Sequence, residues 1–302
     1  MGILRFFFID LIAALAMGRT FNLSSLLGAL LLALAGCGKL QNNIDVPLPA
    51  FSADLVVECY LEPGKVPALA ITTSVPYLSV VLPQVPTDVT VTLKMPNGTL
   101  VPLAFSPNYQ ALVDTTSGQK FHSHIGRNPL VARPGDVFTL DIRDTKGRHA
   151  TSTTTMLAPV PIDSLEYKFN DKSPTERRAY LLTNFKDPST PDDCYRLQLH
   201  KGNPAKGVLL KRPEVDNSFE DRLLNGQRFA VGTSYRFYTG DTVTATLYHT
   251  DRAFFRFRES VRNARNANGN PFAQPSAIYG NVEGAVGIFS VLSSSRATKM
   301  LR

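Results

Sequence analysis

Two histidines separated by one residue, His122 and His124, have the spacing of a metal-ligand pair in this 302-residue sequence. In an extended strand alternate side chains share a face, so the run "FHSH" would present both imidazoles together. A metal site needs a third and usually a fourth ligand. Nothing in the neighbourhood supplies them, which favours solvent-facing histidines. His149, His200 and His249 stand singly. Asp192 and Asp193 follow Pro191 and have the makings of an acid pair, although a loop with solvated charges is the simpler reading. A Ser/His/Asp hydrolase would carry a nucleophile elbow such as GxSxG, and a nucleotide-binding enzyme a glycine-rich phosphate loop; the sequence has neither. No catalytic residue, metal ligand set or cofactor site is assigned, and the chain is expected not to be an enzyme. A hydrolase with a non-local site, in which His122, His124 or Asp192 converge with distant groups, is the enzymatic alternative.

The three cysteines are Cys37, Cys59 and Cys194. Without a CxxC pair they form neither a thiolate zinc site nor a thioredoxin-like motif. Cys59 and Cys194 lie 135 residues apart. Two readings stand: a disulfide in an oxidising compartment, or two buried thiols in strands. Cys37 is different, because of what precedes it. Asp10 and Arg19 break the apolar N-terminus, and no run reaches the about 20 apolar residues a bilayer core needs. From Met17, a second candidate start, the sequence runs from one positive charge through an apolar stretch at 26–34 to small residues. That is the layout of a secretory signal.

The end of that segment, Leu34-Ala35-Gly36-Cys37, resembles the lipobox of bacterial lipoproteins. The resemblance implies that residues 1–36 are removed as a signal peptide and that Cys37 is acylated, with palmitate-type chains, on its thiol and new amino group. Several acyl chains hold a protein stably at about 0.8 kcal/mol per buried CH₂, where one holds it only marginally. Residues 37–50 have no periodicity and carry Pro47 and Pro49, so they read as a tether between lipid and fold.

The net charge is +7, and +6 from Cys37 onward, because Arg5, Arg19 and Asp10 precede it. The basic residues are thinly spread apart from Lys211-Arg212 and the series Arg252, Arg256, Arg258, Arg262, Arg265. Nucleic-acid binding calls for a denser stripe and a reading motif, so no nucleic-acid partner is expected.

The elements are β-rich. Asp54–Glu62 and Ala68–Ser74 are strand-like runs with Pro63-Gly64 between them. Val89, Val91, Leu93 and Met95 alternate with polar residues, Pro96-Asn97-Gly98 turns the chain, and Val101, Leu103 and Phe105 return on one face. This is a hairpin. A second one places Phe138, Leu140 and Ile142 on one face, turns at "TKG" and returns through "RHATSTTTM". Residues 51–158 therefore read as an antiparallel β-sandwich, immunoglobulin- or transthyretin-like. Leu157–Ser164, with Pro159 and Pro161, is a short stiff linker. Residues 159–302 read as a second β-rich, sandwich-like domain. There Tyr195, Leu197 and Leu199 share one strand face, and Val243, Ala245 and Leu247 another. One helix is expected near 251–267: Phe254, Phe257, Val261 and Ala264 fall on one face, Thr250 or Asp251 caps it, and Asn268-Gly269 ends it. Its arginines read as a solvated face. The fold class is all-β, with two antiparallel sandwich-like domains and one short helix.

Several stretches together resemble the Bacteroidota outer-membrane lipoproteins grouped as domain of unknown function 4249. They are Cys37, Asp45–Pro49 with Leu55–Glu58, Ala132–Leu140, Pro159–Ser164, and "NPFAQPSAIYGNVEGAVGIFS" at Asn270–Ser290. The resemblance implies β-rich architecture, a lipid-anchored outer-membrane location and frequent genetic pairing with TonB-dependent receptors. It carries no catalytic or binding residues. Two positions depart from the pattern: Cys59 stands where a small residue is usual, and Gly38–Asn42 lack the early acidic residues of a surface-export signal. The periplasmic and cell-surface faces thus both stay open. Gly280, Gly284 and Gly287 permit tight bends or close backbone approach, in what reads as a final strand completing the second domain's core.

The expected function is that of a non-enzymatic binding or accessory lipoprotein, partnering membrane lipid through Cys37 and a TonB-dependent receptor in uptake of an unidentified ligand. The alternative is a structural or adhesive sandwich module with no transporter partner.

Overall fold

Alternation along β1 (Leu55–Leu61) sets the pattern for the first half of the fold. Leu55, Val57, Cys59 and Leu61 are buried, while Val56, Glu58 and Tyr60 face outward. The computed structural model describes residues 52–75, 84–113, 120–203, 213–221, 225–267 and 277–302. The expected signal segment, Cys37 and its tether, Lys211-Arg212, Asn268-Gly269 and residues 270–276 lie outside the described residues.

β2 (Ala68–Thr73) pairs antiparallel with β1. The first expected hairpin is β3 (Val89–Lys94) with β4 (Leu100–Phe105), turning at Gly98, whose φ is +83°. After a single helical turn, α1 (Gln110–Val113), the two-residue β5 (His124–Ile125) bridges β2 and β4. The second hairpin is β6 (Val137–Asp144) with β7 (His149–Thr155). Phe138, Leu140 and Ile142 are fully buried in it, as alternation requires.

The second half begins with β8 (Ile162–Phe169), β9 (Ala179–Lys186), β10 (Cys194–Lys201), β11 (Val215–Glu220), β12 (Arg228–Gly232) and β13 (Thr242–Thr250). The helix follows as α2 (Arg252–Ala267), then β14 (Val286–Val291) and β15 (Ser293–Met300). A three-stranded sheet, β12-β9-β8, and a four-stranded sheet, β11-β10-β13-β15, contribute to one core that includes Leu181, Phe185, Tyr195, Leu197, Ala245 and Leu247. Asp251 caps α2, its Oδ1 accepting from the Phe254 amide at 2.6 Å. Phe254 and Phe257 are buried as the periodicity predicts, and Phe255 is buried with them.

The fold is all-β with one long helix, and contacts gather Ser52–Arg302 into one compact unit. The reading of the C-terminal segment needs correcting. β14 does not complete the second core. It adds to the first sheet as a parallel neighbour of β1, with Cys59 opposite Phe289 and Leu61 opposite Val291. Only β15 joins the second half, beside β13. The first sheet then runs β14-β1-β2-β5-β4-β3-β6-β7. The far edge strand β7 meets the segment leading into β14, where Thr151 and Glu283 exchange backbone hydrogen bonds of 2.9 Å.

The glycines explain the close fit. At Gly284, φ +80°, an added Cβ would lie 2.1 Å from the His149 carbonyl oxygen. At Gly287, φ +144°, it would lie 1.8 Å from that of Val57. Only a residue without a side chain lets β14 run this close to β1. Phe289 and Val291 then drop into the first core, each gaining about 2 kcal/mol from burial.

Gly287→Ala is therefore expected to destabilise the fold by on the order of 3 kcal/mol or to abolish it. Gly147→Ala, at a turn where a Cβ meets nothing within 4 Å, should cost only about 1–2 kcal/mol for its left-handed backbone. Urea denaturation of the two variants checks this; equal losses would mean that the approach of β14 to β1 is not what makes Gly287 necessary.

Candidate functional site

The outward face of β1 forms one wall of a cleft of about 700 Å³, lined there by Val56, Glu58, Tyr60 and Glu62. Lys120, Phe121 and His122, just before β5, form a second wall; Arg196 of β10 and Arg258 of α2 close it from the second half. A smaller cleft of about 280 Å³ continues along α2 and shares Glu58, Tyr60 and Arg258. Helix α2 is held there by Phe254, which meets the Tyr60 ring edge-on at 5.6 Å.

The arginines are fixed by one carboxylate. Arg196 Nε and Nη2 donate to the two oxygens of Asp216 at 2.7 and 2.8 Å, the bidentate geometry that suits a guanidinium. Arg258 reaches Asp216 Oδ1 at 3.1 Å and donates to Ser218 Oγ at 3.2 Å. Burial pushes the Asp216 carboxyl up, but the hydrogen bonds and charge of Arg196, with Arg258, outweigh it and hold the group below the usual carboxylate range. Lys120 sits 4.9 Å from the Tyr60 ring centroid. Burial, then repulsion from Arg196, lowers its pKa. Burial, then Glu58, raises that of Tyr60, so the phenol stays a neutral donor, here to Glu58 Oε2 at 3.2 Å. Two arginines share Asp216, and Lys65 and Lys120 add charge against Glu58 and Glu62. The cleft thus offers ring surface and surplus cationic charge.

The residues singled out for chemistry do not converge here. His122 reaches the cleft wall, where burial lowers its pKa. His124 is buried: Nδ1 meets Ser123 Oγ at 2.9 Å and Nε2 the Val89 carbonyl at 3.3 Å. Both of its nitrogens are taken up by the fold. Asp192 is exposed and pairs with Arg252 at 3.1 Å, while Asp193 turns inward. Cys59 and Cys194 are free and buried, so the two-thiol reading holds, and burial pushes both up to about 12. The arginines of α2 are not simply a solvated face, because Arg258 turns into the cleft. Sequence reasoning missed Tyr60, Lys120, Arg196 and Asp216. The available signal was β10 itself, where Arg196, Gln198 and His200 alternate with Tyr195, Leu197 and Leu199 on a strand buried on both faces.

A sequence-family profile, Domain of unknown function (DUF4249), matches residues 41–298, and the chain belongs to that family. A search of curated proteins gives no match. Among solved structures the chain is similar to a chain titled "Cytokine receptor complex - Crystal form 1A". That match is 10% identical, covers 80% of this chain and 94% of that one, and has a TM-score of 0.25, too low to carry an argument.

Asp216→Asn leaves Arg196 and Arg258 facing each other without their shared partner. Allowing for the partial exposure of Asp216, a loss of about 2 kcal/mol is expected. A carboxyl with a lowered folded pKa stabilises the fold above its unfolded pKa and loses that contribution as pH falls through the folded value. The gap between wild type and variant should therefore be full at pH 7 and shrink below about pH 4. Denaturant titrations at several pH values read it directly; a gap that widens on acidification would contradict the assignment.

Proposed function

We propose that the protein is a non-enzymatic binding lipoprotein of a Bacteroidota outer membrane, anchored through acylated Cys37, that captures a small anionic ligand for a partner TonB-dependent receptor. The observation that carries the binding reading is the cleft between β1 and α2. Its about 700 Å³ suits a small molecule. Arg196, Arg258 and Lys120 suit a carboxylate or phosphate, and Tyr60 and Phe121 suit an apolar or ring-bearing portion. The lipobox ending at Cys37 supports the anchor. Family membership and the receptor pairing implied by the resemblance support the partnership.

The test uses the full chain expressed in its own membranes. Cys37→Ser should move the protein from the membrane pellet to the soluble fraction and remove the acyl mass from its N-terminal peptide; retention in the pellet rejects the anchor. Affinity capture after gentle solubilisation should bring down a β-barrel receptor, and its absence rejects the partnership. Native mass spectrometry of the captured chain should show a bound anion that Arg258→Glu loses while keeping the receptor. An Arg258→Glu chain that retains the same anion rejects the cleft as the binding site.

A further inference from the structure

At one end of the second sandwich, two connections bring three carboxylates together: the β9–β10 loop, with an aspartate at each end, and the segment after β11. Asp187 follows β9, Asp193 precedes β10 and Asp221 follows β11. The antiparallel register that sets Cys194 opposite Glu220 places the last two side by side, with the Asp221 amide donating to the Asp193 carbonyl at 3.1 Å. All three are buried, and one oxygen of each lies within 4.8 Å of the others.

The first two are aimed by hydrogen bonds. Asp187 accepts from the Tyr195 hydroxyl and, at 2.9 Å, from the Gly226 amide. Asp193 accepts from Thr190 Oγ1 at 2.6 Å and faces His249 Nε2 at 3.0 Å. The other His249 nitrogen, Nδ1, faces the Ala158 carbonyl at 2.7 Å, so the ring is held by both sides and offers no free nitrogen. Asp221 is the exception. It is 1% exposed, and neither of its carboxylate oxygens has a partner among the described residues.

We propose that Asp187, Asp193 and Asp221 hold a hard divalent cation, with Ca²⁺ the best fit. Oxygens that share one Ca²⁺ at about 2.4 Å can be no further apart than about 4.8 Å, and the cluster lies within that limit. The donors are all carboxylate oxygen, the set preferred by Ca²⁺, Mg²⁺ and Mn²⁺ over softer metals. Ca²⁺ tolerates the irregular geometry of ligands from two separate loops better than Mg²⁺, which demands a near-ideal octahedron. Asp187 and Gly226 also line a cleft of about 440 Å³ beside the cluster. Burial, followed by the charges of Asp187 and Asp193, raises the Asp221 pKa; a cation relieves the same repulsion that a proton otherwise would. This site is separate from the β1–α2 cleft and stands or falls independently of the ligand proposed there.

The full chain, purified in detergent and stripped with EDTA, is compared with and without about 1 mM Ca²⁺, a concentration that saturates all but the weakest extracellular-type sites. Wild type should melt several degrees higher with Ca²⁺. Tb³⁺ is the optical probe: the chain has no Trp, and Tyr195, bonded to Asp187, should sensitise its emission, which Ca²⁺ then competes away. Asp221→Asn should weaken Ca²⁺ at least tenfold, yet melt above wild type in EDTA because it removes the unpaired charge. Tyr195→Phe should cut Tb³⁺ emission severalfold while keeping the Ca²⁺-dependent rise in melting temperature. A comparable rise with Mg²⁺ or Mn²⁺ supports the hard-cation class. If Asp221→Asn does not fold, the wild-type comparison decides alone. A wild-type chain unchanged by Ca²⁺, Mg²⁺ and Mn²⁺ overturns the proposal in favour of a protonated Asp221, as does an Asp221→Asn chain that binds Ca²⁺ with wild-type affinity.

Discussion

Between β14 and β1 there is room for backbone and nothing more. Gly287 runs so close to Val57 that a single added carbon would collide with its carbonyl oxygen. Because that approach is possible, the chain returns from the second half to the first sheet, and the returning segment supplies Val282, Phe289 and Val291 to a core otherwise built from residues 55–156. The return also brings Glu283 against Thr151, so the edge strand β7 is covered at that point instead of being left open to other chains. Helix α2, which precedes β14, is thereby drawn across the outer face of β1. The candidate cleft follows from that placement, since one of its walls is the face of β1 that the first core does not use.

The two charge groups, one partly exposed at the cleft and one buried, balance their charges in opposite ways. At Arg196, Asp216 and Arg258 unlike charges alternate, and each is partly compensated by the next. Desolvation is offset by bidentate geometry, and what remains is a net positive lining. At Asp187, Asp193 and Asp221 the charges are alike, and hydrogen-bond donors serve two of the three carboxylates. Coulomb repulsion grows as the dielectric falls, so such a group needs a proton or a cation from outside the chain. The first arrangement suits recognition of a ligand; the second suits a structural ion joining the β9–β10 loop to the segment after β11.

Local sequence was enough for every feature that depends on neighbours along the chain. The alternation at 89–105 and 137–155 marked both hairpins, because a strand's side chains repeat every two residues. The phenylalanine spacing and Asp251 marked α2, because helix period and capping are local as well. Glycines 280, 284 and 287 were legible as points of close approach, but not what they approach. Nothing in residues 286–291 says whether they pair with β13 or β1, since both surfaces are apolar and extended.

The candidate sites were beyond that horizon for the same reason. His122 and His124 drew attention by proximity in sequence, and the fold sends one to a cleft wall and the other into the interior. Tyr60, Lys120, Arg196 and Arg258 come from four separate segments, and Asp187, Asp193 and Asp221 from two loops that share no motif. Composition, period and capping determined an all-β chain with one amphipathic helix. The parallel return of β14, the burial of both faces of β10 and the meeting of distant charges were decided only in three dimensions, because each depends on contacts between residues whose separation along the chain leaves no periodic trace.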